Sequence, residues 1–236
     1  METGTFDKLS TRKMIQLAKV VSRDEGQIKA HELLLGLVGQ DTLLAISGGS
    51  SNDYKKMIVD HADIKPAEVC MADERYGLPF HKNSNELLVK NFGMIDYLAS
   101  KKVKFHKILD GSSIEQTERN YDQTVRTLLA KYKEKVGIMG VGANVHTAGI
   151  FPHSKALRTP AYVVSEVVDD EYPQRVTMTL KALGEFTSFV IMMFGAEKKE
   201  ALSTMLNISE NDIQKYPAVF FRKCRAIAHL VTDITL

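Results

Sequence analysis

Apolar positions along the chain follow two periods. LLAI before SGGSS, VCMA before DERYGLP and KVGIMG before VGANVH are short, nearly unbroken runs, the pattern of strands buried on both faces. AYVVSEVV, RVTMTL, SFVIMMFG and AIAHLVTD add β-branched strands, and KFHKIL reads as another. Between them the period lengthens. SNELLVKNFG, MIDYLASKK and AEKKEALSTML are helical, and SSIEQTERNYDQTVRTLLAKY is a long helix with Ser112 and Glu115 spaced as a capping box. A shorter helix is predicted from about Asn52 to His61. From Ser10 to about Val38, Ile15, Ala18, Val21, Ile28, Leu34, Leu35 and Val38 recur at helical intervals, with Gly26 as the point that divides one helix from two.

Strands alternating with helices predict an α/β fold: a doubly wound, mainly parallel sheet with helices on both faces. Two consecutive strands near 161–180 predict a small antiparallel excursion. Residues 1–236 are expected to form one domain, since no repeat, low-complexity segment or linker divides them. In such sheets ligands bind beyond the carboxyl ends of the strands. That directs attention to SGGSS, ADERYGLP and GVGANVHTAGIFP.

Composition narrows the partners. With 31 basic and 29 acidic side chains the net charge is +2, so nucleic acid and anionic membranes are not expected partners, and an anion must be met locally. No run reaches the length of a membrane span and METGTFDKLSTRK lacks a signal peptide's apolar centre, so the chain is expected in the cytoplasm. Cys70 and Cys224 match no ligand spacing, which favours free thiols and no metal.

SGGSS offers Gly48 and Gly49, which let backbone approach an anion, and the hydroxyls of Ser50 and Ser51 ahead of a helix. It is not a triphosphate loop, since the lysine and spacing are missing. The same stretch also reads as a plain strand-to-helix turn capped by Ser50 or Ser51. ADERYGLP reads as a charged loop, either solvated or using Arg75 to bind an oxyanion, its guanidinium fork held by the neighbouring Asp73 and Glu74. Gly140 and Gly142 begin like a dinucleotide fingerprint, but Val145 holds the third glycine position and Pro152 and Pro160 leave little room for the helix. His146, on a glycine-rich turn at a strand's carboxyl end, is then a candidate general base.

LLAISGGSS, ADERYGLPFHKNSN, GVGANVHTAGIFP, PQRVTMTL and GAEKKEAL, taken in order, resemble the 6-phosphogluconolactonase family, related in fold to glucosamine-6-phosphate isomerases and deaminases. The resemblance implies hydrolysis of 6-phosphogluconolactone in the oxidative pentose phosphate pathway, a sugar-phosphate substrate, and no cofactor or metal. It implies that His146 activates water and that Arg75 stabilises the oxyanion or grips phosphate. SGGSS (Gly48, Gly49, Ser50, Ser51), Arg175 and Lys198 would lie around the sugar phosphate with Asp73. Ser84 and Asn85 would shape the pocket.

The chain departs from the family at one point. Where members carry Asp-Gly-His, it has Asn144-Val145-His146. Asn144 can orient the imidazole but brings no charge, and Val145 resists the positive φ a glycine accepts, so a reshaped loop and a displaced histidine are expected. Those two residues also support a weakly catalytic sugar-phosphate binding protein as the alternative. An isomerase or deaminase is disfavoured because HTAGIFP lacks a downstream glutamate.

Overall fold

A computed structural model describes residues 15–236. In chain order the first half holds β1 (Ile15–Lys19), α1 (Arg23–Leu37), β2 (Thr42–Ile46), β3 (Glu68–Met71), β4 (Asp73–Arg75), α2 (Asn85–Asn91), α3 (Met94–Ser100), β5 (Lys104–His106) and α4 (Ile114–Lys131). The second half holds β6 (Glu134–Gly140), β7 (Val163–Val167), β8 (Gln174–Met178), α5 (Leu180–Leu183), β9 (Ser188–Met193), α6 (Lys199–Leu206), α7 (Phe220–Lys223) and β10 (Ile227–Thr232).

Seven strands form one parallel sheet in the order β1-β10-β9-β6-β2-β3-β5. From β2 the chain steps outward to β3 and β5, then returns to the other side of β2 with β6 and continues through β9 and β10. Right-handed crossovers running in opposite directions place their helices on opposite faces, which is double winding. Every residue of β2 and β9 is buried, so these strands carry no polar alternation. Among the described residues no helix is long and apolar enough to cross a membrane.

Four local expectations are corrected. The first concerns the helix predicted from position 10: residues 10–14 lie outside the described residues, and the next segment is a strand, β1, paired in parallel with β10. The helix begins only at Arg23, capped by Ser22, whose Oγ accepts from the Glu25 N–H at 3.2 Å. The helical spacing misled because its anchors face outward: Val21 is 91% exposed, Ile28 51% and Leu35 50%. The buried face of α1 instead carries Gly26, Gln27, Ala30, His31 and Leu34. Gly26 does not divide the helix; a Cβ there would stand 2.3 Å from the Phe194 ring, so glycine lets α1 lie against the sheet.

Between 52 and 61 only Lys55–Val59 is helical, a π-type turn closed by the Asp60 N–H donating to Lys55 O at 2.9 Å. Its first turn is capped by Asp53, whose Oδ1 accepts from the Lys56 N–H, and not by Ser50 or Ser51. The cap of α4 lies one residue later than expected: Ser113 Oγ accepts from the Gln116 N–H. Finally, Asp73–Arg75 is not a loop. It is strand β4, so the antiparallel excursion has three strands, ordered β4-β8-β7.

Candidate active site

Beyond the carboxyl ends of β2 and β6, where the sheet order reverses, lies a cavity of about 330 Å³, large enough for a small ligand. Gly48, Gly49, Ser50, Ser51, Asp73, Arg75, His146, Arg175 and Lys198 all line it. Asn144 does not; it is exposed beside a neighbouring hollow and reaches the cavity through His146.

The glycine-rich turn is held from below. Ser47 Oγ donates to Ile138 O at 3.1 Å and accepts from the Gly140 N–H at 3.3 Å, tying the end of β2 to the end of β6. Buried Asn52 donates from Nδ2 to Gly48 O at 3.0 Å, and Gln27 on α1 donates to Ser51 O while accepting from the Asp53 N–H. Gly49 sits at φ +95°, which favours glycine, and a Cβ on Gly48 would lie 2.0 Å from Asn85 Oδ1. Both glycines are thus demanded by geometry. Lys198 donates to Ser51 Oγ at 3.0 Å, joining a cation to this turn.

Period-two alternation in β4 sorts its charges. Asp73 and Arg75 share the face that looks into the cavity, while Glu74 points the other way. Glu74 accepts from the backbone N–H groups of Arg75, Asn85 and Glu86 at 2.7, 2.6 and 2.8 Å, so this buried carboxyl caps α2. The expectation that carboxylates hold the Arg75 fork is therefore corrected: Arg75 Nη1 donates to Asn83 O at 2.9 Å. Asp73 accepts instead from Asn85 Nδ2 at 3.2 Å. Burial raises the pKa of Asp73, against the pull of Arg175, Arg75 and the Asn85 hydrogen bond.

Across the ladder, Arg75 lies directly opposite Arg175. Like charges in that position repel, and both arginines keep a buried Nε with no partner. The pair, with Lys198, gives the cavity a concentrated positive wall suited to an anion.

His146 stands on the turn after β6. Asn144 Oδ1 accepts from the backbone N–H of His146 at 3.2 Å and lies 2.5 Å from its Nδ1. Since the same oxygen accepts the backbone proton, the ring must present an N–H at Nδ1, which leaves Nε2 as the basic nitrogen. The ring is stacked on Phe151, centroids 4.3 Å apart, and a Cβ on Gly142 would fall 2.2 Å from its Cε1. Burial, and then the charges of Arg175, Lys198 and Arg75 against that of Asp170, lower the His146 pKa to about 4, so the imidazole is neutral at pH 7.

Val145 takes the left-handed backbone that its branching resists. This residue adopts φ 65° with its side chain 3% exposed, its N–H bonded to Gly142 O and its carbonyl accepting from the Ala218 N–H. Two residues of the cavity's surroundings had no sequence signal. Phe151 was an anonymous apolar residue in HTAGIFP, and Asp170, on the β7–β8 connection, pairs with Arg175. Gln27 was hidden by the misread face of α1.

A family model described as glucosamine-6-phosphate isomerases/6-phosphogluconolactonase matches residues 30–230. A 6-phosphogluconolactonase from a Nostoc species is 27% identical over 216 residues, spanning 84% of this chain and 88% of that protein. The structure of 6-phosphogluconolactonase from Trypanosoma brucei superposes with a TM-score of 0.76 at 16% identity, covering 92% of this chain and 95% of the other. A monomeric glucosamine-6-phosphate deaminase superposes with a TM-score of 0.75 at 17% identity, covering 92% and 97%.

Proposed function

The chain belongs to the glucosamine-6-phosphate isomerase/6-phosphogluconolactonase family, and from that membership and the cavity we propose that it hydrolyses 6-phosphogluconolactone with His146 as general base. The observation that carries this reading is one neutral imidazole, oriented through Nδ1 by Asn144, sharing a cavity with three cations.

In this reading Arg175, Lys198 and the 48–51 turn receive the phosphate. Lys198 is already tied to Ser51, and at Gly49, where a Cβ would meet nothing within 4 Å, the bare backbone permits close approach. His146 Nε2 takes a proton from water as the water oxygen bonds to the lactone carbonyl carbon. The carbonyl π electrons move to its oxygen, where Arg75 stabilises the negative charge. Collapse of the tetrahedral intermediate breaks the bond to the ring oxygen, which receives the proton from the imidazolium. The product acid then ionises. A δ-lactone is a reactive ester, so placing water and stabilising the oxyanion suffice.

The fold itself also carries a deaminase, so substrate must decide. Freshly generated 6-phosphogluconolactone should be hydrolysed with release of acid above the spontaneous rate, while glucosamine 6-phosphate yields no ammonia. Ammonia release without lactone turnover would overturn the reading. The alternative of a non-catalytic or weakly catalytic binding protein rests on Asn144 and Val145; a histidine ring oriented by Asn144 within the cavity favours catalysis over it.

A further inference from the structure

The β7–β8 connection reaches over the arginine pair. Asp170 forms an ion pair with Nη2 of Arg175, and the ring of Tyr172, two residues on, lies 5.2 Å from the Arg75 guanidinium. The connection is pinned at its base by the Val168 N–H donating to Pro173 O at 2.9 Å. Arg175 is buried, with 5% of its side chain exposed, whereas Asp170 is 35% exposed. The carboxylate therefore engages from the open side a guanidinium that cannot turn away.

We propose that Asp170 is a specificity-determining residue: its carboxylate occupies the Arg175 edge that a phosphoryl group needs, so an incoming group must out-compete a carboxylate to bind there. This rests on the reading of the cavity as a sugar-phosphate site. A dianionic phosphoryl brings more charge and more acceptor oxygens to the fork than a carboxylate does, and it displaces Asp170. A monoanion or a neutral sugar gains too little to do so. The carboxylate that hydrolysis creates at the far end of the product is excluded from Arg175 on the same ground.

The test is a double-mutant cycle read by calorimetric binding of inorganic phosphate to the full chain. Asp170→Asn should tighten phosphate binding by about three- to tenfold, the scale of a partly exposed ion pair being removed as competitor. In an Arg175→Gln background the same substitution should change little, because the competition is for Arg175. Arg175→Met, which likewise removes both charge and fork, serves if the glutamine variant unfolds in a thermal scan. Equal phosphate affinity with and without Asp170 would overturn the proposal while leaving the anion site intact. Equal tightening in both backgrounds would also overturn it, by showing a general field effect. No phosphate binding to any variant would overturn the sugar-phosphate reading and this proposal together.

Discussion

One oxygen of Asn144 makes two contacts with His146, accepting from its backbone N–H at 3.2 Å and meeting its ring Nδ1 at 2.5 Å. The backbone contact fixes which way the amide faces, and the ring contact fixes the tautomer. Asparagine thus orients the ring without supplying charge to an imidazolium.

The pH dependence follows from that division. A base with its pKa held near 4 keeps its activity down to mildly acidic pH, and kcat/KM falls only as pH drops through that value. Asn144→Asp places a carboxylate beside the ring, favours the imidazolium, and should move the acidic limb upward by about 1–3 units. Asn144→Leu should leave KM near its natural value and lower kcat by about a hundredfold or more through loss of orientation. A pH–rate profile of the three proteins checks both.

His146 also ties stability to pH. Its pKa is lowered on folding from 6.5 to about 4, so the unfolded chain binds more protons between those values. The sign follows: this group's effect on stability is nil above 6.5, and the folded state loses ground as pH falls through the window. Urea unfolding of His146→Gln should therefore show a flatter decline between pH 6.5 and 4 than the natural chain. An unchanged slope would contradict the assigned shift.

Val145 predicts an inversion of the usual order of substitutions. At φ 65° a β-branched residue is strained by about 1–3 kcal/mol, while its buried side chain contributes about 1.5–3 kcal/mol. Val145→Ala loses most of the burial and keeps much of the strain, whereas Val145→Gly loses the burial and relieves the strain. Denaturant midpoints should rank glycine at least as stable as alanine here, the reverse of an ordinary position.

Two glycines separate the ends of the cavity. Gly142→Ala drives a methyl into the His146 ring and should lower kcat by about a hundredfold or more. Gly48→Ala drives one into the Asn85 carboxamide beneath the 48–51 turn and, if that turn receives the phosphate as proposed, should raise KM for the phosphorylated lactone more than it lowers kcat. Steady-state kinetics of both variants distinguish the two effects.

The parts of the fold legible in the sequence were those whose signal is local. The buried β2, β3, β6 and β9 announce themselves as apolar runs, and the glycine turns at the ends of β2 and β6 locate the cavity. β4 was illegible because its Asp-Glu-Arg reads as loop, and only pairing with β8 makes it a strand. α1 was misplaced because it buries Gln27 and His31 in hydrogen bonds to Ser51 O and Met57 O while exposing Ile28 and Leu35. Asp170 could not be found at all, since its meaning depends on how a hairpin connection folds back onto Arg175. Val145 shows the opposite error: a local rule against positive φ was overruled by burial and by hydrogen bonds to Gly142 and Ala218.

The most direct test of the central claim compares the natural chain with His146→Ala on freshly generated 6-phosphogluconolactone, followed by acid release at mildly acidic pH. Turnover by the natural chain that falls to the spontaneous rate in the folded variant is the result predicted for a histidine base. Equal rates in the two proteins would contradict it.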